Sequence, residues 1–264
     1  MKMPSYFISH GGGPWPYIQE WDEQYKALRE SLEHMPAELP EKPKAILMVS
    51  AHWIGPEILI MGNEKPGMYY DYYGFPEHTY HIHYNAPGEP GLAARVQTML
   101  SEAGFETKID LDRGFDHGAF VPLAVAFPEA DIPVVQVSIN RNYDPAYHVR
   151  MGQALAALRD EGVLIIGSGL SYHNLRLLGP AGKEPSAQFD QWLQTAIIGK
   201  TLAERSQALE QWEQAPSARL AHAQEDHLIP LMVAVGAAGD DSATCVYHEK
   251  TAFGAITATS FKFG

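Results

Sequence analysis

The 264-residue chain has little cysteine and little positive charge, and each shortage excludes a class of site. Cys245 is the only cysteine, so the chain cannot form an internal disulfide or a zinc site built from several cysteines. Such a low cysteine content is typical of proteins in a reducing compartment, and we expect a cytoplasmic protein. Lysine and arginine number 19 against 32 acidic residues, a formal net charge of −13. We therefore expect no nucleic-acid partner and no anionic membrane surface.

Long hydrophobic runs are also missing. The longest apolar segments, such as "AILMVSA" and "VLIIG", are far too short to cross a bilayer. Residues 1–7 lack the basic stretch and apolar core of a signal peptide. Hydrophobic residues nevertheless make up 45% of the chain, which is enough for one large domain with its own core.

Short apolar runs alternate with helix-like segments along the chain. Three of these runs are almost continuously apolar, as in strands that are buried on both faces: Ala45–Ser50, Val134–Ile139 and Val163–Ser168. The pattern predicts an α/β fold: a single domain over residues 1–264, with a central, mostly parallel sheet and helices on both faces. The spacing also predicts helices over 17–34 and 224–236 and a half-exposed final strand over 255–263.

Three of the 12 histidines follow predicted strands. His10 comes after "YFIS", His52 after "AILMVSA" and His173 after "VLIIGSGLSY". The carboxyl ends of strands in an open α/β sheet meet at one edge, where ligands bind. A single histidine there would be an ordinary loop residue, but three together favour a shared site.

Three glycines follow His10 in "SHGGGPWPY", and a glycine loop after a strand can indicate a phosphate site. This loop has no lysine, and Pro14 and Pro16 remove backbone N–H donors, so we exclude a phosphate cradle. Two interpretations are left: a tight turn after an edge strand, or small residues that make room beside a metal-bound histidine. His52 and His173 favour the second.

A further histidine, His227, comes at the start of the apolar run "LIPLMVAVG". Acidic residues before a helix complement its positive dipole end, which explains Glu225 and Asp226 but not His227. His222 lies five residues earlier; in a helix the two rings would point about 140° apart, so they should not share one metal.

"GFDHGAF" places Asp116 and His117 at a predicted helix start. Asp116 suits an N-cap, and His117 is equally compatible with an acid–base role and with a structural one. His78, His81 and His83 in "EHTYHIHY" resemble a metal cluster, but we interpret them as loop or surface residues.

Five segments in order resemble the class III extradiol ring-cleaving dioxygenases, the LigB-type superfamily, and within it the branch of the DOPA 4,5-dioxygenases. The segments are "SHGGGP", "SAHW", "GFDHGAF", "GSGLSYHNL" and "EDHLIPLMVAVGAAG". The resemblance spans nearly the whole chain. It implies a single α/β domain that opens the ring of a catechol-type aromatic diol with O₂ and uses one non-haem Fe(II) per chain.

The resemblance also implies roles for individual residues. It implies that His10, His52 and His227 hold the metal, that His173 is the acid–base residue, and that His117 hydrogen-bonds oxygen or substrate. In some members of the family, the residue matching His173 is described as a further metal ligand.

The chain departs from the family at the third ligand, where better-known class III enzymes have a glutamate. Three imidazoles also suit Zn(II), so a zinc hydrolase is an alternative to the dioxygenase, as is a non-catalytic metal-binding protein. Near the site, Tyr72, Tyr73 and Phe75 either line a pocket for the ring or pack the loop.

Overall fold

The computed structural model describes all of residues 1–264, and eight strands in it form one sheet. The strands are β1 (Ser5–Ser9), β2 (Ala45–Gly55), β3 (Ile58–Met61), β4 (Thr107–Asp110), β5 (Val134–Asn140), β6 (Val163–Gly169), β7 (Ala243–Ala252) and β8 (Ile256–Phe263). Their order across the sheet is β4-β3-β5-β2-β6-β1-β8-β7.

The centre of the sheet is parallel, as predicted. The parallel pairs are β5 with β2, β2 with β6, β6 with β1, and β3 with β4. The antiparallel pairs are β3 with β5, β1 with β8, and β7 with β8. The carboxyl ends of β1, β2 and β6 therefore lie side by side at one edge.

Eight α-helices surround the sheet. They are α1 (Lys26–His34), α2 (Pro90–Glu102), α3 (His117–Ala126), α4 (Pro145–Leu155), α5 (Lys183–Ile197), α6 (Leu202–Glu210), α7 (Ala218–Ala221) and α8 (Ile229–Ala238). None of them is long and apolar enough to cross a membrane.

Two buried helices, α3 and α8, cover opposite faces of β6. The Ser168 hydroxyl donates to the carbonyl of Gly118 in α3, whereas a Cβ atom at Gly167 would collide with the carbonyl of Pro230 in α8. Neighbouring residues of a strand point to opposite faces, so these contacts place helices on both sides of the sheet, as predicted. A Cβ at Gly169 would meet the carbonyl of His227, so the missing side chain lets that histidine approach the end of β6.

Three predicted elements differ in the structure. Helix α1 begins only at Lys26, because residues 15–17 and 19–21 form short 3₁₀ turns that let Trp21 stack on Tyr25. Helix α8 begins at Ile229 rather than near 224, since residues 225–228 form a turn, so His227 precedes the helix. The final strand, predicted half-exposed, is almost entirely buried because β7 pairs with it and α5 packs against it.

The junction between β5 and α4 contains a fully buried histidine, His148, which must be neutral to form its contacts. Its Nδ1 donates to the Asp144 carbonyl at 2.7 Å, and its Nε2 accepts from the Asn140 N–H at 3.0 Å. Burial lowers the pKa of His148 to about 4, whereas the group titrates near 6.5 in the unfolded chain. Between these values the unfolded chain binds the extra proton, so the folded state loses stability as the pH falls below 6.5.

We expect the free energy of unfolding to fall less on acidification when glutamine replaces His148. The histidine should contribute about 2 kcal/mol of the stability lost between pH 7 and pH 5, and His148→Gln should lack this part. Urea unfolding of the two proteins at both pH values measures the difference. An equal loss in both proteins would contradict the assignment.

Candidate active site

Five histidines converge at the edge where β1, β2 and β6 end. His10 follows β1, His52 lies in β2, His117 opens α3, His173 follows β6, and His227 precedes α8. The ring centroids of His10, His52 and His227 lie 4.8–5.2 Å apart. The His117 ring is 4.0 Å from that of His52, and His173 stacks on His227 at 3.4 Å. The structure thus brings together every histidine that the sequence and the resemblance singled out.

An irregularity in β2 places His52. The strand does not end at Ser50, as the apolar run predicts, but continues to Gly55. Its register against β5 shifts between Ser50 and Ile54, which leaves residues 51–53 without partners in that strand. The Ser50 hydroxyl accepts from the His52 N–H at 3.1 Å and fixes this bulge.

Each of three histidines directs its Nδ1 at an oxygen. The pairs are His10 with the Gly11 carbonyl at 2.8 Å, His52 with Asp71 at 3.2 Å, and His227 with Asp226 at 2.9 Å. In each ring Nδ1 is therefore the nitrogen that keeps its hydrogen, and Nε2 presents a lone pair.

The three Nε2 atoms lack a protein partner that could satisfy them. His52 Nε2 and His227 Nε2 lie 3.2 Å apart, and His10 Nε2 is buried without a hydrogen bond. Protonation does not relieve the repulsion of these lone pairs, because burial and the neighbouring histidines lower the pKa of His10 and His227 well below 6.5 and that of His52 to about 3. Neutral imidazoles that are largely buried and grouped in this way fit a transition metal or zinc.

Two carboxylates each lie close to two of the histidines. Asp71 accepts from the His117 Nδ1 at 2.8 Å with one oxygen and places the other 3.2 Å from His52 Nδ1. Asp226 accepts from His227 Nδ1, and its second oxygen is 4.0 Å from His173 Nδ1. Sequence reasoning missed Asp71, which lies in an aromatic loop without a motif, and interpreted Asp226 only as a helix-end residue.

Asp116 is the predicted N-cap of α3 and accepts from the Ala119 N–H at 3.1 Å. Its buried carboxylate is also paired with Arg113 at 2.7 Å and bonded to the Ser50 hydroxyl at 2.7 Å and to Gln136. Asp116 therefore anchors the start of the helix and the β2 bulge, between which His52 and His117 meet.

The remaining candidate histidines lie outside the cluster. His78, His81 and His83 are exposed, as expected for loop residues. His222 is buried, but its Nε2 faces the Ser171 carbonyl at 3.0 Å and its ring packs on Phe189. That His222 and His227 do not share a metal stays a prediction, and this placement of His222 agrees with it.

A cavity of about 490 Å³ opens onto the five histidines. Its wall contains the predicted Tyr72, Tyr73 and Phe75, and the full set of aromatic and aliphatic lining residues is Trp21, Tyr25, Tyr72, Tyr73, Phe75, Leu170, Leu175, Leu178 and Phe253. Tyr72 serves the loop as well, since its hydroxyl donates to the Thr79 carbonyl at 2.5 Å.

The glycines after His10 make room mainly for aromatic side chains. A Cβ atom at Gly11 would collide with the Trp15 ring, and one at Gly13 would collide with Phe75. Both glycines also have positive φ angles, 77° and 55°. The loop thus lies against the rings that enclose the site, and Trp15 Nε1 donates to the His10 carbonyl at 2.9 Å.

Comparison with known proteins finds relatives that match nearly the whole chain. Residues 4–264 match the family described as the catalytic LigB subunit of aromatic ring-opening dioxygenase. A 4,5-DOPA dioxygenase extradiol from Beta vulgaris is 41% identical over 264 residues, which cover 98% of this chain and 96% of that protein. The protein of the same name from Portulaca grandiflora is 37% identical, with 98% and 95% covered. The crystal structure of an uncharacterised Escherichia coli K12 protein superposes with a TM-score of 0.80 at 30% identity and covers all of both chains.

Proposed function

The chain belongs to the LigB family of aromatic ring-opening dioxygenases, and from this membership we propose how its own residues carry out the reaction. The protein is a metal-dependent extradiol dioxygenase. We propose that its substrate is a catechol-type diol, that His10, His52 and His227 hold one Fe(II), and that His173 and His117 act on the substrates. The single observation that supports the ligand set is the grouping of these three rings, 4.8–5.2 Å apart. In it the Nε2 atoms of His52 and His227 lie 3.2 Å from each other, and that of His10 is buried without a hydrogen bond.

The overall reaction adds O₂ to the diol. The ring C–C bond beside the diol breaks, one carbon becomes a carboxylate and the other an aldehyde, and each receives one atom of O₂. An Fe(II) held by His10, His52 and His227 would supply the Lewis acidity and the redox chemistry of this reaction. The protein must supply proton transfer, orientation and a water-poor pocket.

His173 is placed to move the proton. It lines the cavity beside His227, and burial together with His117 lowers its pKa to about 4, so the free ring is a neutral base. It can accept the proton of a diol hydroxyl and return it as the ring opens. Asp226, 4.0 Å from its Nδ1, stabilises the imidazolium that forms.

His117 lines the same cavity. Its Nδ1 donates to Asp71 at 2.8 Å, and its backbone N–H binds the same oxygen at 2.9 Å, so ring and helix start are fixed together. With Nδ1 bound to Asp71, Nε2 is the ring nitrogen left to form a hydrogen bond with oxygen or substrate.

We expect Asp71→Asn to lower kcat/KM by roughly 10- to 100-fold. An asparagine amide has a single oxygen, which can face only one of His117 and His52. Its NH₂ group then faces the Nδ1–H of the other ring, so that imidazole loses its orientation. Steady-state rates and bound metal per chain measure the effect. Asp160→Asn, at an exposed position, is the matched control and should behave as wild type. Unchanged kinetics and metal content in Asp71→Asn would contradict this role.

Metal exchange tests the assignment of iron. Metal-free protein is loaded without air with one equivalent of Fe(II) or Zn(II), then mixed with oxygenated catechol. Both metals should bind at one per chain, but only the iron form should consume O₂. If the iron form takes up no O₂ and the zinc form shows hydrolytic activity that does not depend on oxygen, the zinc hydrolase is supported instead.

A further inference from the structure

The segment that contains His173 follows β6 and belongs to no helix or longer strand. Hydrogen bonds to a distant part of the chain hold its backbone instead. The His173 N–H donates to the Ala221 carbonyl at 2.9 Å, and the Leu170 N–H donates to the His227 carbonyl at 3.1 Å. The position of His173 therefore depends on the stretch of chain before α8, which also carries His227.

His222 adds a side-chain hydrogen bond to this contact. Its Nε2 lies 3.0 Å from the Ser171 carbonyl, which accepts no other hydrogen bond. Burial lowers the pKa of His222 to about 3, so the ring is neutral and its single hydrogen lies on Nε2, facing that carbonyl. Ser171 is two residues before His173, and the backbones of His173 and His222 form a parallel β-bridge. The bond thus ties the backbone next to His173 to the neighbouring stretch.

Packing alone does not explain a histidine at position 222. The ring is fully buried and packs edge-on against Phe189 and Trp212, with centroids 5.2 and 5.9 Å away. Its other nitrogen, Nδ1, is buried without a hydrogen bond. A buried acceptor that lacks a partner destabilises the folded state, and a phenylalanine would fill similar space without this nitrogen. The polar contact that His222 gains is the bond to Ser171.

We propose that His222 is a positioning residue, whose bond to the Ser171 carbonyl holds His173 beside His227 in the geometry that proton transfer needs. This inference rests on the proposed function, which assigns proton transfer to His173. A general base must lie within hydrogen-bond reach of the proton that it accepts, so a small displacement of the ring reduces the rate strongly. Loss of the bond should lower kcat and leave the metal in place.

Two amides of different length test the bond. In His222→Gln the NH₂ group can take the place of Nε2, whereas in His222→Asn it takes the place of Nδ1 and does not reach Ser171. With iron-loaded enzyme and catechol, kcat should fall at least about tenfold in His222→Asn and stay within about threefold of wild type in His222→Gln. Both variants should keep one metal per chain and a nearly unchanged KM. Equal kcat values in the two variants, or loss of the metal in His222→Asn, would overturn the inference.

His222→Phe separates positioning from stability. The substitution removes the unpaired Nδ1 but leaves the Ser171 carbonyl without its donor, so one buried acceptor is unpaired in either protein. The midpoint of urea unfolding should therefore change little, while kcat falls as far as in His222→Asn. A wild-type kcat in His222→Phe would show that packing alone places the segment, and the inference would be wrong.

Amide hydrogen exchange gives a readout that needs neither metal nor O₂. In metal-free protein the His173 N–H should exchange about tenfold faster in His222→Asn and at the wild-type rate in His222→Gln. His148→Gln changes a buried histidine at the junction of β5 and α4 and is the control; this exchange rate and kcat should not move. If no protein consumes O₂ but the exchange responds, the dioxygenase proposal fails and the positioning contact stands. An unchanged exchange rate in His222→Asn would overturn the inference whatever the activity.

Discussion

His52→Ala is expected to abolish metal binding and to lower kcat by roughly 10³-fold or more, equivalent to at least about 4 kcal/mol of transition-state stabilisation. The substitution removes one of the three imidazoles grouped at the site and leaves two to hold the ion. His52 is the best of the three for this test because its side chain is 21% exposed, whereas His10 and His227 are almost fully buried. Loss of folding is therefore least expected here.

The measurement for this variant is metal per chain after anaerobic loading, together with O₂ uptake and the midpoint of urea unfolding. His83→Ala, at an exposed loop position outside the cluster, is the matched control and should keep one metal and full activity. A His52→Ala protein that folds and still binds one metal tightly would contradict the ligand set.

His173→Gln is expected to keep the metal and lose the chemistry. His173 lies beside His227 on the cavity wall, and we assign it to proton transfer rather than to coordination. Loss of a positioned general base should reduce kcat roughly 10²- to 10⁴-fold. Glutamine retains polarity and similar size but cannot take up a proton at neutral pH.

Two readouts make the assignment of His173 specific. Bound metal should stay at one per chain and substrate affinity should change little, while kcat falls; His81→Gln, at an exposed position, should be unaffected. Loss of the metal in His173→Gln would make the residue a ligand. An unchanged kcat would remove it from catalysis.

The sheet could be predicted from sequence because its central strands are buried on both faces. The apolar runs of β2, β5 and β6 mark them directly, and the parallel order follows from the intervening helices. The final strand is buried too, but its alternating sequence is typical of a half-exposed one. Its pairing with β1 and its contact with α5, both distant in sequence, decide the burial.

The histidines of the candidate site were predictable for the same reason, since strand ends share an edge. The positions of His10 and His173 follow from that rule alone. His52 reaches the same edge through a bulge in β2 that the sequence does not indicate. Asp71 was not predictable from periodicity. It reaches His52 and His117 from a long loop, and that contact is fixed by tertiary packing of the aromatic residues around it.

The central claim is that this chain opens a catechol ring with O₂ through the histidine cluster, and isotope labelling tests it most directly. Iron-loaded enzyme is given a catechol and ¹⁸O₂, and oxygen uptake and product mass are measured together. The expected result is one O₂ consumed per catechol and a ring-opened product whose new carboxylate contains one ¹⁸O. Stoichiometric iron at the site, with no O₂ uptake and no label in any product across neutral and charged catechols, would contradict the claim.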